Sequence, residues 1–171
     1  MKVFISKLSK FDSNVYQYHL PVPEEIAQNF IEGENRRIIC TLNGVHKWHA
    51  ALMKAQDYWF ILVNKAIMEK LGLTQNVDVK VELEKDHSTY GLEMPDELQV
   101  LFEQDEDAYS YFKNLTMGKQ RSLIYIVGKY KSSDSRLRKA LAIAHHLKEV
   151  QGNLDYKLLN STIKFYNNKP L

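Results

Sequence analysis

Apolar residues are spaced in two different ways along this chain. Up to about residue 92 they alternate with polar ones or form short continuous runs, as strands do; from Pro95 onward they recur at three- and four-residue intervals, as helices do. Val77, Val79, Val81 and Leu83 alternate with Asp78, Lys80, Glu82 and Glu84, which predicts a strand with one wet face. Residues 58–63 (YWFILV) are continuously apolar and predict a strand covered on both faces. Residues 37–42 and 45–52 are β-rich and flank Asn43-Gly44, a dipeptide that takes the positive φ angles of a type I′ turn, so they predict a hairpin. Residues 15–20 (VYQYHL) are β-rich as well and end at Pro21.

Helix signals separate and follow these runs. Residues 23–31 carry Pro23 at a first-turn position, Glu24 and Glu25 near the positive end of the dipole, and Gly33 as a cap. Asn64 is an N-cap for a helix with Ala66, Ile67 and Leu71 on one face, closed by Gly72 and Leu73 in a Schellman pattern. Four further helices are predicted. Leu98, Leu101 and Phe102 mark the first; Ala108, Tyr109 and Phe112 the second, with Asp105 as its cap. Leu123, Val127 and Tyr130 mark the third, begun by Thr116. Leu137, Ala140, Leu141, Ala144 and Leu147 mark the fourth, begun by Ser133 with Asp134 in its first turn and ended by Gly152. The last residues show a β-type pattern (Leu158, Leu159, Ile163, Phe165) with no partner, and are expected to dock on the β-rich half or to fray. The class is α+β, divided into a β domain at 1–92, a helical region at 93–152 and a C-terminal tail at 153–171.

Composition narrows this picture. The 171 residues suffice for one domain or two small ones, without disulfides or metal to hold them. The single cysteine, Cys40, excludes an intrachain disulfide. No stretch approaches a membrane span, and residues 1–11 (MKVFISKLSKF) lack the apolar run of a secretory signal, so a cytoplasmic location is expected. The net charge of +2 conceals an asymmetry. Residues 93–107 hold seven acids and no Lys or Arg, whereas residues 113–148 hold nine Lys or Arg and one acid, Asp134.

That basic block contains the strongest candidate site. Lys129, Lys131, Arg136, Arg138 and Lys139 cluster around one helix–helix turn. The turn at 131–133 runs into a helix N-terminus, whose free N–H groups and dipole favour a phosphate or carboxylate, and Arg136 offers a bidentate contact. The plainer alternative is that the basic block pairs with the acidic one across the helices. Other constellations are weaker. His46 and His49 lie three apart on a strand and point to opposite faces. His145 and His146 are roughly 100° apart on a helix and read as surface residues. Cys40, within an apolar run, reads as a buried small hydrophobe. Asp86-His87-Ser88 has the residue types of a hydrolytic triad, but adjacent residues rarely converge on one another. No glycine-rich phosphate loop can be written, and no metal or cofactor is expected.

The order of LPVPEEIAQNF, the hairpin at Leu42-Asn43-Gly44, YWFILVNKAIMEKLGL and VDVKVELEKD resembles a small bacterial β-barrel family, the domain of unknown function 1905. The continuation, from MPDELQVLFEQDEDAYSYF to SRLRKALAIAHHL, resembles the helical region called bacteriocin-protection, YdeI or OmpD-associated. Together they cover about residues 15–150. The chain departs from the family patterns at Met68, where an Arg is usual, and at Asn76-Val77, where Gly-Asp is common. The "A-K" and "T-R" of the helical part become Gly128-Lys129 and Ser135-Arg136, so Lys129 and Arg136, and with them Arg138, match basic positions of the family. The resemblance implies a double-split β-barrel (an AbrB-like pseudobarrel) capped by helices and followed by a bundle of short helices; it implies no established reaction.

The favoured expectation is a non-enzymatic binding or stress-tolerance protein, monomer or homodimer, whose residues Lys129, Lys131, Arg136 and Arg138 meet an anionic ligand or protein. Nucleic acid is disfavoured, because acids outnumber bases through Met94. The alternative is an enzyme with its site between barrel and helices, lined by Trp48, Tyr58, Tyr90, Tyr109, Asp86 and Glu93.

Overall fold

The computed structural model describes residues 1–12 and 18–170. The chain divides into two compact units, Met1–Gly91 and Leu92–Leu171.

The first unit is built from two antiparallel four-stranded sheets. One has the order β1 (Lys2–Lys7), β8 (Asp78–Lys85), β4 (Arg37–Leu42), β5 (His46–Ala51). The other has the order β2 (Ser9–Lys10), β3 (Tyr18–Val22), β7 (Trp59–Val63), β6 (Met53–Lys54). Alternation decides which face is dry. Ile38, Cys40 and Leu42 of β4 and Val79, Val81 and Leu83 of β8 are buried in one core with Leu20, Ile61 and Val63 of the second sheet. The Asn43-Gly44 turn is as expected: both residues have positive φ, at 52° and 69°, and Val45 N–H closes the turn on Leu42 carbonyl at 2.9 Å.

Several elements differ from the sequence expectation. The run at 45–52 does not continue as one strand; Leu52, 1% exposed, lies between β5 and β6, where the chain passes from one sheet to the other. β1 and β2 are strands that periodicity did not single out. The β-rich run at 15–20 is described from Tyr18 only, and its first part lies outside the described residues. The proline-led helix is short: α1 (Glu24–Ala27) passes into a 3₁₀ turn (Gln28–Phe30), and Ile31 is already extended, so the helix stops before Gly33. α2 (Lys65–Leu71) follows its signals: Asn64 Oδ1 accepts from Ile67 N–H at 2.9 Å, and Gly72 at φ 61° closes the end as Leu73 N–H reaches Met68 carbonyl at 2.9 Å.

The second unit consists of helices α3 (Asp96–Gln104), α4 (Glu106–Asn114), α5 (Met117–Gly128), α6 (Ser133–Glu149) and α7 (Tyr156–Asn167). Asp105 caps α4 and Thr116 caps α5, as their positions predict. α6 is capped by Ser132, one residue before the expected start, and Ser133 is its first helical residue. Leu98, Phe102, Phe112, Leu123, Ile124, Ile143 and Leu147 form the apolar interior. The β-type reading of the C-terminal residues is corrected: they form α7, packed along α6, with Asp155 Oδ1 accepting from Lys157 and Leu158 N–H. Leu158 and Leu159 are consecutive on this helix; Leu159 is buried and Leu158 is exposed. No helix among the described residues is long and apolar enough to cross a membrane.

Candidate functional site

The turn between α5 and α6 carries the cations that the sequence singles out. Arg136, in the first turns of α6, is fully engaged. Its Nε and Nη2 donate to Glu97 Oε2 and Oε1 at 2.8 and 2.9 Å, and its Nη1 donates to the carbonyls of Lys131 and Tyr130 at 2.8 and 3.2 Å. Glu97 also accepts from Ser133 Oγ at 2.6 Å. The Arg136 guanidinium, and after it the Ser133 hydroxyl, hold the Glu97 carboxyl down at about 2. Ser132 Oγ accepts from Ser135 N–H at 3.3 Å, so the helix start is capped by its own hydroxyl. The bidentate contact expected of Arg136 therefore exists, and the carboxylate that it holds is Glu97 of the same unit.

Arg138 is turned to α7. Its Nη1 donates to Tyr166 carbonyl at 2.9 Å and to Lys169 carbonyl, which satisfies one carbonyl in the last turn of α7 and one just beyond it. Lys139, 5% exposed, donates to Asn167 Oδ1 at 2.6 Å and lies over the Tyr130 ring at 4.3 Å. Lys148 pairs with Asp105 at 2.5 Å. The acidic and basic blocks thus meet at two ion pairs, Glu97–Arg136 and Asp105–Lys148.

Lys129 and Lys131 behave differently. Both are exposed and neither has a carboxylate within ion-pair distance among the described residues. Lys129 rests over the Tyr130 ring at 5.3 Å. A cavity of 270 Å³ beside this turn is lined by Glu93, Asp96, Glu97 and Arg136, so acids outnumber bases among its walls. The structure leaves Lys129 and Lys131 facing solvent and ties Arg136 and Arg138 into the fold.

The first unit brings together a pair that sequence reasoning kept apart. β4 turns Ile38, Cys40 and Leu42 to the core and Arg37, Ile39 and Thr41 to the opposite face. Ile39 lies opposite both His49 of β5 and Glu84 of β8. Strand parity therefore puts His49 on the same outer face as Asp86, just past the end of β8, and His49 Nδ1 lies 3.1 Å from Asp86 Oδ2. Ser88 N–H donates to Asp86 Oδ1 at 2.8 Å. Burial works to raise the Asp86 carboxyl, but the hydrogen bonds from Ser88 and His49 outweigh it and hold it below its ordinary value. The triad-like spelling at 86–88 is thus half informative: Asp86 and Ser88 do meet, but the histidine that joins them is His49, not His87. The legible signal was the parity of three strands around the Asn43-Gly44 hairpin.

The remaining candidates are structural. Cys40 is fully buried and burial pushes its thiol up to about 12. His46 lies off the His49 face, stacked with Trp48 at 5.7 Å. His146 is a correction to the surface reading: it is 0% exposed, its Nε2 accepts from Asp155 N–H at 3.2 Å, and desolvation lowers its pKa. Of the aromatics proposed for a cleft, Tyr58 bonds the buried His19 at 3.0 Å in the first unit, and Tyr109 packs on Phe102 in the second.

Residues 4–83 match the model of the family described as domain of unknown function (DUF1905), and residues 91–149 match that described as bacteriocin-protection, YdeI or OmpD-associated. No curated protein and no solved structure matches the chain.

Proposed function

We propose that this chain, whose residues 91–149 match the bacteriocin-protection, YdeI or OmpD-associated model and whose residues 4–83 match that of DUF1905, is a non-enzymatic binding protein whose helical surface takes an anionic partner. The observation that carries this reading is the contrast within the basic block. Arg136 and Arg138 brace the fold, while Lys129 and Lys131 flank Tyr130 in the same turn and have no carboxylate partner among the described residues. Exposed cations without local partners recruit anions over a range set by salt. An acidic protein segment suits such a surface better than nucleic acid, because the patch is two lysines bordered by the carboxylates of Glu93 and Asp96; a peptide can set a few spaced carboxylates on the lysines and keep neutral residues beside the acids, whereas a duplex is charged along its whole length. We read the two sheets as the open halves of a double-split pseudobarrel that serves as scaffold. The single Cys40, buried and with no second cysteine to pair with, suits a reducing compartment such as the cytoplasm. The protein is expected to act as a monomer or homodimer.

The test is fluorescence anisotropy with a labelled polyglutamate peptide at low salt, with duplex DNA of equal charge as the competing probe. The wild type should bind the peptide, and binding should fall as salt rises. The Lys129→Ala/Lys131→Ala variant should bind about tenfold more weakly, from roughly 0.7 kcal/mol for each exposed charge pair lost. Failure of the wild type to bind polyglutamate above a neutral peptide refutes the reading. Tighter binding of the DNA refutes its choice of partner.

A further inference from the structure

The outer face of the first sheet holds a second polar cluster, independent of the helical surface. We propose that His49 and Arg37 form a binding site there for a small oxyanion, the carboxylate or phosphate group of a small molecule, with Asp86 as the residue that positions the imidazole.

The first support is the division of labour between Asp86 and His49. The Asp86 side chain is 1% exposed and that of His49 is 29% exposed. A buried carboxylate is costly unless it is hydrogen-bonded, and this one receives Ser88 N–H and the His49 Nδ1 side of the ring. The contact assigns the proton of the neutral imidazole to Nδ1. Nε2, at the other edge of the ring, then has no partner among the described residues. Orientation of one ring nitrogen by a buried carboxylate, with the other left open, is the arrangement of an imidazole that acts on a ligand.

The second support is Arg37. Its guanidinium has no ion pair or hydrogen bond among the described residues, although buried carboxylate lies close by. A Cβ placed on Gly91 would lie 2.9 Å from Arg37 Nη1 and 3.5 Å from Asp86 Oδ2. Gly91, at φ 66°, thus leaves room for the guanidinium to lie beside the Asp86–His49 pair. Arg37 and His49 reach the same face from adjacent strands, since Arg37 lies opposite Ala51, two residues from His49.

The third support is the charge around the ring. From β8, Glu84 faces this side but is matched by Lys47 of β5 at 3.6 Å. The loop after β8 contributes Asp86 and the neighbouring His87, and β4 contributes Arg37. With His49 protonated, Asp86 neutralises one of the two cations, and donors on Arg37 and His49 remain unused. An oxyanion supplies acceptors to both, and Arg37 can engage it through two parallel N–H groups.

Binding of an anion to this group must raise the affinity of His49 for its proton, by reciprocity. The test follows the His49 ring resonances of the full chain by NMR against pH, in sodium phosphate, in sodium acetate and in sodium chloride of equal ionic strength. The expected result is a rise of about one unit in the His49 pKa in phosphate or acetate over chloride, a tenfold coupling; the larger of the two shifts identifies the phosphate or the carboxylate source. Arg37→Gln should abolish the shift and Arg37→Lys should retain part of it. Gly91→Ala, which leaves both side chains in place but crowds Arg37, should reduce it. Lys129→Ala/Lys131→Ala should leave it intact, which separates this site from the helical surface. A wild-type His49 pKa that is the same in all three salts overturns the proposal. A shift of equal size in Arg37→Gln overturns it as well.

Discussion

Glu97 is the anion around which the α5–α6 turn is organised. Its two oxygens take the Nε and Nη2 donors of Arg136 and the hydroxyl of Ser133, and its side chain is 12% exposed. Its carboxyl is held at about 2 in the folded chain against an ordinary value of 4.5. A folded pKa below the unfolded one means that the unfolded chain binds the proton more readily. The contribution to stability is therefore fully present above pH 4.5 and is lost as the pH falls toward 2. Glu97→Gln should consequently be less stable than the wild type at pH 7, and the gap should close as the pH is lowered from 4.5 to 2. Urea unfolding at a series of pH values measures this. A gap that does not change with pH would show that the carboxylate charge contributes nothing. Because Arg136 also donates to the Tyr130 and Lys131 carbonyls, the same substitution should loosen the turn that presents Lys129 and Lys131.

Caps and alternation govern the elements, and they also mark what could be read in advance. Asn64 at the start of α2 is a clean example: one side-chain oxygen satisfies one free amide, that of Ile67. Asn64→Ala should cost about 1 kcal/mol, and thermal melting should register the loss, whereas Lys65→Ala, next to it and exposed, should leave the melting temperature nearly unchanged. The strand pattern of β8 and the hairpin at Asn43-Gly44 were legible because one face of each strand is dry and the turn has a strict backbone demand. β1 was not, because its partner is β8, more than seventy residues away, and no local feature announces that pairing. The division of residues 45–54 into β5 and β6 was hidden for a similar reason: the sequence stays β-rich while the chain changes sheets at Leu52. α7 was misread through its leucines. The informative residue was Asp155, whose cap of Lys157 and Leu158 starts a helix that spacing alone left ambiguous.

At the scale of the whole molecule, each unit buries its own apolar residues. The core cluster of the first unit is drawn from residues 8–83, and the second has its own interior around Phe102, Phe112 and Leu123. Residues 92–171 expressed alone should therefore give a helical circular dichroism spectrum and a cooperative melt; a broad, non-cooperative melt would show that the helices need the β unit. The candidate site was legible to different depths in the two halves. The basic block was plain from composition, but which of its members face solvent depended on contacts that composition does not carry, such as Arg138 with the end of α7. His49 and Asp86 were named separately, and only the register of β5, β4 and β8 joins them.

That register also sets an order in time. Among the described residues β1 lies at the edge of its sheet and pairs only with β8, so residues 2–7 have no described strand to join until residues 78–85 exist. During synthesis, at about 5–20 residues per second, the first strand waits several seconds beside the ribosome with Phe4, which packs against the core in the finished fold, still uncovered. The sheet carrying His49 and Asp86 is completed late in the making of its unit, whereas α6 and α7, neighbours in sequence, can pair as soon as they emerge. A chain interrupted before residue 78 would expose an unpaired edge rather than a smaller version of the fold, and edges of that kind are what chaperones capture.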